Sequence, residues 1–408
     1  ASSAVRNRDV HYPFRQDSDF YYLTGFNEAD ALAVFIPGRQ QGEYVLFCRE
    51  FDATKALWEG AHAGLEGATS QYGADDAFPI DDLDEILPGM LENKAKVFYP
   101  MGKNGELDHK LLDWINHIRK QSRTGVTAPG ELVSLEHIVH EMRLFKSAEE
   151  IKLMRRAAEI SAQAHVRAMQ YCQPGVHEFE VEAELIHHFM RSGLRAVAYP
   201  SIVAGGNNAC VLHYTENADK LRKGDLLLID AGAECDHYAA DITRTFPVSG
   251  KFSEPQRLLY QLVLDAQEAA LAEIAPGIAW NKAHEASVEV LTKGLVELGL
   301  LKGRVKKLIK DEKYKQFYMH RIGHWLGMDV HDVGDYKIKD EWRLLEPGMV
   351  LTVEPGLYVA ADCETVDKQW RGIGIRIEDD VLVTADGYEV LTAAVPKTIE
   401  AIESVMRS

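Results

Sequence analysis

Five side chains of metal-ligating type, Asp230, Asp241, His324, Glu354 and Glu378, are spread over the second half of this chain, four of them on or at the ends of short apolar runs. The first two lie in Leu226–Phe246, which reads LLLIDAGAECDHYAADITRTF. The run Leu226-Leu227-Leu228-Ile229 reads as a buried strand and ends on Asp230. Asp241 follows the turn-prone Ala231-Gly232 and a second short β-like segment. Two carboxylates on neighbouring strands of a hairpin would converge on one point, and a carboxylate ending a buried strand is costly without a compensating cation or donor. From this stretch alone, two ordinary turn acids fit equally well.

The remaining three sit in similar settings. Met319–Asp332 holds His320, His324 and His331; VLTVEP is an apolar strand ending on Glu354; IGIRIEDD alternates, with Arg376 and Glu378 on one face and Ile375 and Ile377 on the other. A lone histidine here would more often be a satisfied core residue. Four acids aimed into one core would repel each other strongly, so the set is better explained jointly. Four carboxylates and one imidazole are too many for a tetrahedral zinc site. They suit two hard or borderline divalent ions bridged by carboxylate and water. Oxygen-rich ligation with a single imidazole favours Mn²⁺ ahead of Zn²⁺ or Co²⁺.

The elements that must position these residues come from a chain of 408 residues, long enough for two domains. Its 46% hydrophobic and 26% charged content is that of an ordinary soluble globular protein. A net charge of −18 disfavours nucleic acid and anionic membrane as partners. No apolar run reaches the length that spans a bilayer. The start, Ala-Ser-Ser-Ala-Val-Arg, is neither a signal peptide nor an initiator, which suggests a trimmed N-terminus. Five scattered cysteines, Cys48, Cys172, Cys210, Cys235 and Cys363, form no CxxC, a pattern expected of reduced thiols in a cytoplasm.

Residues 30–125 alternate short strands with helices. Ala31–Ile36 and Tyr44–Cys48 read as strands, Ile80–Leu91 and Leu107–Ile118 as helices, with Val97–Tyr99 a strand between them. Trp58 stands in the Gly-rich WEGAHAG, which matches no phosphate-binding fingerprint and suits a packed aromatic. A boundary is expected near Val133–Lys146. Ser147 and Glu150 then form a capping box for a helix to about Tyr171, followed by a helix over Phe179–Met190. An extended segment, Ser201–Ala204, leads to His213 and the Leu226–Phe246 stretch. Two more helices, Pro255–Ile274 and Trp280–Leu298, precede strands at Val350–Val353, Ile373–Ile377, Val381–Val383 and Glu389–Leu391. Helix pair, strands, helix pair, strands suggests a duplicated α+β unit whose halves face each other.

The set IDAG…DITRTFPV, GHWLGMDVHDVG, LEPGMVLTVEPGLY and GIGIRIEDD resembles the metal-binding signature of the Xaa-Pro peptidases, with bacterial aminopeptidase P nearest in wording. The likeness extends to YPFRQDSDFYYLTGFNE and to the junction HEMRLFKSAEEI, so it covers nearly the whole chain. It implies an α+β protein: a small non-catalytic N-terminal α/β creatinase-like domain, residues 1–143, and a catalytic pita-bread domain, residues 144–408, with a dinuclear site on its inner sheet. By position, Asp230 resembles a ligand of one metal, Asp241 and Glu378 the bridging carboxylates, and His324 and Glu354 ligands of the other. His213 and His331 resemble the imidazoles that contact substrate and stabilise the tetrahedral intermediate. His320, Tyr358 and Arg376 match the wall of the proline pocket. Trp58 and Arg123 match positions near the substrate entrance, with Trp58 donated by a neighbouring subunit of a homo-oligomer, dimer or tetramer.

The reaction implied is hydrolysis of the N-terminal Xaa-Pro bond of peptides with proline second, through a hydroxide bridging two metals, with Glu354 as proton shuttle. The main alternative is a prolidase confined to dipeptides. A non-catalytic pita-bread peptide-binding protein would have lost ligands, and all five are present. The loop Asp335–Trp342 departs from the family pattern and lacks an arginine expected there. With Arg376 beside Glu378, its expected partner, the loop offers only Lys337 and Lys339 as cations beyond the proline.

Overall fold

The computed structural model describes residues 2–407, and the chain divides into two compact units, Ala1–His140 and Glu141–Ser408. In the first unit the strand Tyr44–Cys48 is central, pairing antiparallel with Leu32–Phe35 and parallel with Asp76–Pro79. Its run Val45–Cys48 is buried throughout, which is why it reads as continuously apolar. A second, parallel pair joins Lys96–Tyr99 to Glu131–Ser134. The helices Leu83–Leu91 and Gly105–Lys120 contribute Leu83, Leu87, Leu111, Trp114 and Ile118 to one core with Val45 and Phe47. The helical stretch expected over Ile80–Leu91 opens as a 3-10 turn, Ile80–Asp82, before becoming α-helical.

The second unit starts as its capping signal dictates. The Ser147 hydroxyl accepts from the Glu150 amide at 3.4 Å while the Glu150 carboxylate accepts from the Ser147 amide at 2.8 Å, opening the helix Ala148–Tyr171. It packs against Glu178–Arg191, and a second helix pair is formed by Glu254–Leu271 and Asn281–Glu297. Between and after these pairs come the strands. Leu226–Asp230 is the middle strand of an antiparallel sheet with Ile202–Gly205 and Thr243–Pro247 on its two sides. In the second half, Val350–Val353 pairs with Asp379–Thr384, and Gly356–Val359 with Ile373–Arg376. The halves meet where the Glu378 amide donates to the Thr243 carbonyl and the Thr245 hydroxyl donates to the Arg376 carbonyl. Among the described residues no helix is long and apolar enough to cross a membrane.

One buried charge cluster ties the start of this unit to the loop carrying His331. Arg143 and Lys146 donate to the two oxygens of Asp332, at 2.6 and 2.9 Å, with all three side chains no more than 2% exposed. Removing one member of a desolvated cluster leaves uncompensated charge. Asp332→Ala is therefore expected to lower the unfolding free energy by about 3–5 kcal/mol. Denaturant melts of metal-loaded wild type and variant check this; a loss of under about 1 kcal/mol, the size of an exposed pair, would contradict it.

Candidate metal centre

Asp230 ends its strand opposite Ile202 on one side and Thr243 on the other. Asp241 does not stand on a neighbouring hairpin strand as the sequence suggested. The strand Leu226–Asp230 pairs with Thr243–Pro247, and the chain between forms Ala233–Cys235 and Tyr238–Ala239, which join the earlier strand Ala196–Val197 in a separate small sheet. Asp241 lies in the return from that excursion. Gly232 makes the close approach possible: a Cβ there would fall 1.7 Å from the Ala240 carbonyl oxygen. The Asp241 amide donates to the buried Asp380 carboxylate, which fixes the backbone at the turn.

Glu354 and His324 are brought together by another close contact. The strand Val350–Val353 is laced to the preceding loop by Thr352 N–H to the His324 carbonyl, 2.9 Å, and Glu354 N–H to the Ile322 carbonyl, 2.7 Å. Gly323 sits between them, where a Cβ would meet the Thr352 carbonyl oxygen at 2.0 Å. Glu378, just beyond the strand Ile373–Arg376, accepts from the Thr243 hydroxyl at 2.6 Å.

One cavity of about 390 Å³ gathers Asp230, Asp241, His324, Glu354 and Glu378 together with His213, His320, His331 and Arg376. Ligand atoms of Asp241, His324 and Glu378 all lie within 4.8 Å of one another. His324 Nε2 is 3.4 Å from Asp241 and 3.8 Å from Glu354, and its ring meets that of His331 edge-on at 4.4 Å. Tyr358 is buried beneath the wall and links His320 Nε2, at 2.8 Å, to Arg376 Nη1, at 3.0 Å. Trp58 and Arg123 belong to the first unit, where both are exposed, Trp58 on the short helix Ala53–Glu59.

The electrostatics of this cavity are those of an anionic cage. Burial, then repulsion from Asp241, Glu354 and Asp230, holds the Glu378 carboxyl well above the usual carboxylate range. Burial pushes Glu354 up to about 7 against the pull of His324 and Arg376. For His324, burial favours the neutral ring, but the hydrogen bond and charge of Asp241 outweigh it and raise the imidazole to about 9. His320 is pushed down to about 3 by burial and then by Arg376. Four acids share this space with Arg376, whose Nη2 donates to Asp230 at 2.7 Å. The expectation that Glu378 holds this arginine is thus corrected: Asp230 does, because the Arg376 side chain runs across Thr243 to reach it. A donor set of crowded oxygens with one imidazole fits hard or borderline divalent cations, which would relieve this repulsion.

The sequence reading missed Tyr199, Thr215, Arg321 and Val330 on the cavity wall. The Tyr199 hydroxyl touches both Asp230, at 2.7 Å, and Asp241. It stands three residues before the Ile202–Gly205 strand that flanks Asp230, so a register for that pairing was the only signal available. The loop Asp335–Trp342 folds as a hairpin whose turn residues Lys339 and Asp340 take φ of 50° and 68°. There Lys337 Nζ lies 4.6 Å, and the Arg321 guanidinium carbon 5.6 Å, from the Trp342 ring centre.

Residues 152–385 match the family model described as metallopeptidase family M24, and residues 1–99 match the aminopeptidase P N-terminal domain. The chain is 47% identical over 407 residues to the Xaa-Pro aminopeptidase of Escherichia coli (strain K12), covering 100% of this chain and 92% of that protein. Its fold superposes with a TM-score of 0.98 on Pseudomonas aeruginosa aminopeptidase PepP, at 59% identity over 100% of this chain and 92% of that one. A Zn-substituted E. coli aminopeptidase P in complex with product gives a TM-score of 0.96 at 47% identity, again over 100% and 92% of the two chains. An acid-lined cavity of this composition is what a metal-dependent hydrolase requires, and with the catalytic-region model matched over more than half its length the chain belongs to metallopeptidase family M24.

Proposed function

We propose that this protein is an Xaa-Pro aminopeptidase that uses two divalent ions, Mn²⁺ foremost, held by Asp230, Asp241, His324, Glu354 and Glu378. The observation that carries this reading is the convergence of four carboxylates and a single imidazole on one cavity that also presents His213 and His331. When bound, the ions acidify water and polarise the scissile carbonyl. A bond to proline has a tertiary amide nitrogen with no N–H to engage, so the chain's own residues must supply orientation and proton transfer. Asp230 accepts from the substrate's free α-amine, which makes the enzyme an exopeptidase. A Glu354 carboxylate oxygen carries a proton toward the leaving proline nitrogen. His213 and His331 donate to the developing oxyanion. His320 and Arg376 form the wall against which the proline ring packs, and Tyr358, buried behind them and absent from the lining, holds the two together.

The same reading includes a homo-oligomer, dimer or tetramer, in which the 86% exposed Trp58 is offered to a second copy. The free state of all five cysteines supports a reducing, cytoplasmic setting.

Substrate length tests the reading against a prolidase. A dipeptidase needs a rigid cation for the carboxylate just beyond proline. Arg376 is engaged by Asp230 and Tyr358, Lys337 rests on Trp342, and the other arginine of the lining, Arg321, is solvent-exposed, where a charge pair is weak. Ala-Pro-Ala is therefore expected to be cleaved with higher kcat/KM than Ala-Pro, and Ala-Ala-Ala hardly at all. A clear preference for the dipeptide would make the protein a prolidase.

A further inference from the structure

Outside the ligand cluster, the fully buried carboxylate of Glu178 has a role the reaction above leaves unexplained. It is the first residue of the helix Glu178–Arg191 and is 0% exposed. One oxygen accepts from the Gly205 amide at 2.7 Å and Asn208 Nδ2 at 3.0 Å. The other accepts from the Tyr214 hydroxyl and the Asp219 amide, each at 2.8 Å. Four donors fill the roughly four lone-pair sites of a carboxylate, and none is a cation. The helix start already has a carboxylate of its own, because Glu180 accepts from the His177 amide at 2.7 Å.

All four donors come from the segment that leads into and out of His213. Gly205 ends the strand beside Asp230's strand, Asn208 lies in the 3-10 turn Gly206–Cys210, and Tyr214 follows His213 directly. Residues 211–219 contain no helix or strand, yet they supply Leu212, His213 and Thr215 to the cavity wall. Their position thus depends on side-chain anchors. Asn217 is one, bonded at 2.9 Å to both the Val203 amide and the Ser201 carbonyl. Asp219 is a second, accepting from Asn208 Nδ2 at 2.9 Å, and Glu178 is a third that bonds the residue next to the imidazole.

We infer that Glu178 is a positioning residue for the peptidase reaction, setting the His213 ring over the cavity through the Tyr214 hydroxyl and the flanking amides. This rests on the oxyanion role proposed for His213. Glu178→Gln replaces one acceptor oxygen by an NH₂ facing two donors, which shifts the loop without changing side-chain volume. Displacement of a reacting group by about 1 Å costs on the order of 100-fold.

The test measures kcat, KM, bound Mn²⁺ and thermal melting for Glu178→Gln and Tyr214→Phe on Ala-Pro-Ala, each alone and combined with His213→Ala. Expected are a kcat lower by roughly 10–100-fold in Glu178→Gln, a smaller loss in Tyr214→Phe, and unchanged KM and metal content. In the His213→Ala background neither should lower kcat further. Wild-type kcat in both variants, or losses that multiply with that of His213→Ala, would overturn the inference. If Glu178→Gln does not fold, Tyr214→Phe, which removes a single hydroxyl, decides. Should His213→Ala itself keep wild-type kcat, the oxyanion role fails and the inference falls with it. An impaired His213→Ala beside intact clamp variants sinks the inference alone.

Discussion

Asp241→Ala and Glu378→Ala should each lose bound metal and nearly all turnover together. Both carboxylates are almost fully buried, and their ligand atoms lie within 4.8 Å of each other and of the His324 imidazole. Even an outer partner of a metal ligand contributes about 10–100-fold in affinity, so loss of a direct bridging ligand should exceed that. Metal analysis after gel filtration, run beside Ala-Pro-Ala assays, reads both quantities. A variant that kept its metal but lost activity would assign these acids to proton transfer instead. A variant that kept both would remove them from the site.

His331→Ala should separate catalysis from metal binding. The ring contacts His324 edge-on at 4.4 Å and lines the cavity, but it is not in the cluster of mutually close ligand atoms. As an oxyanion donor it acts in the transition state, so its removal is expected to lower kcat by about 10²–10³-fold with KM and metal content unchanged. A rise in KM alone would mean that His331 binds ground state and transition state equally, and the oxyanion role would be wrong.

These expectations draw on parts of the site that the sequence made visible. Asp230, Glu354 and Glu378 each lie at or near the end of an apolar run, which is weak evidence singly and becomes informative only as a set, and the three line one cavity. The helix from Ala148 was legible to the residue because its capping box is local chemistry, confirmed by both reciprocal hydrogen bonds. What could not be read depends on contacts distant in sequence. Asp241 was assigned to a hairpin strand because the pairing partner of Leu226–Asp230 lies beyond an excursion whose own small sheet involves Ala196–Val197. Arg376 was assigned to its neighbour Glu378, whereas the guanidinium crosses to Asp230, 146 residues away in the chain. Tyr199 carries no charge and belongs to no motif, so only the register of Ile202 against Asp230 reveals that it reaches two of the acids. Glu178 stands one residue before the helix expected over Phe179–Met190, and nothing local says that four donors from residues 205–219 converge on it.

This cavity is expected to work with two cations held by five side chains. Chelator-treated protein titrated with Mn²⁺, with bound metal counted by mass spectrometry and Ala-Pro-Ala hydrolysis followed in parallel, tests it most directly. Activity is expected to be absent in the chelated protein, to be restored best by Mn²⁺, and to reach its maximum at two ions per chain. Full activity with one zinc per chain would contradict it.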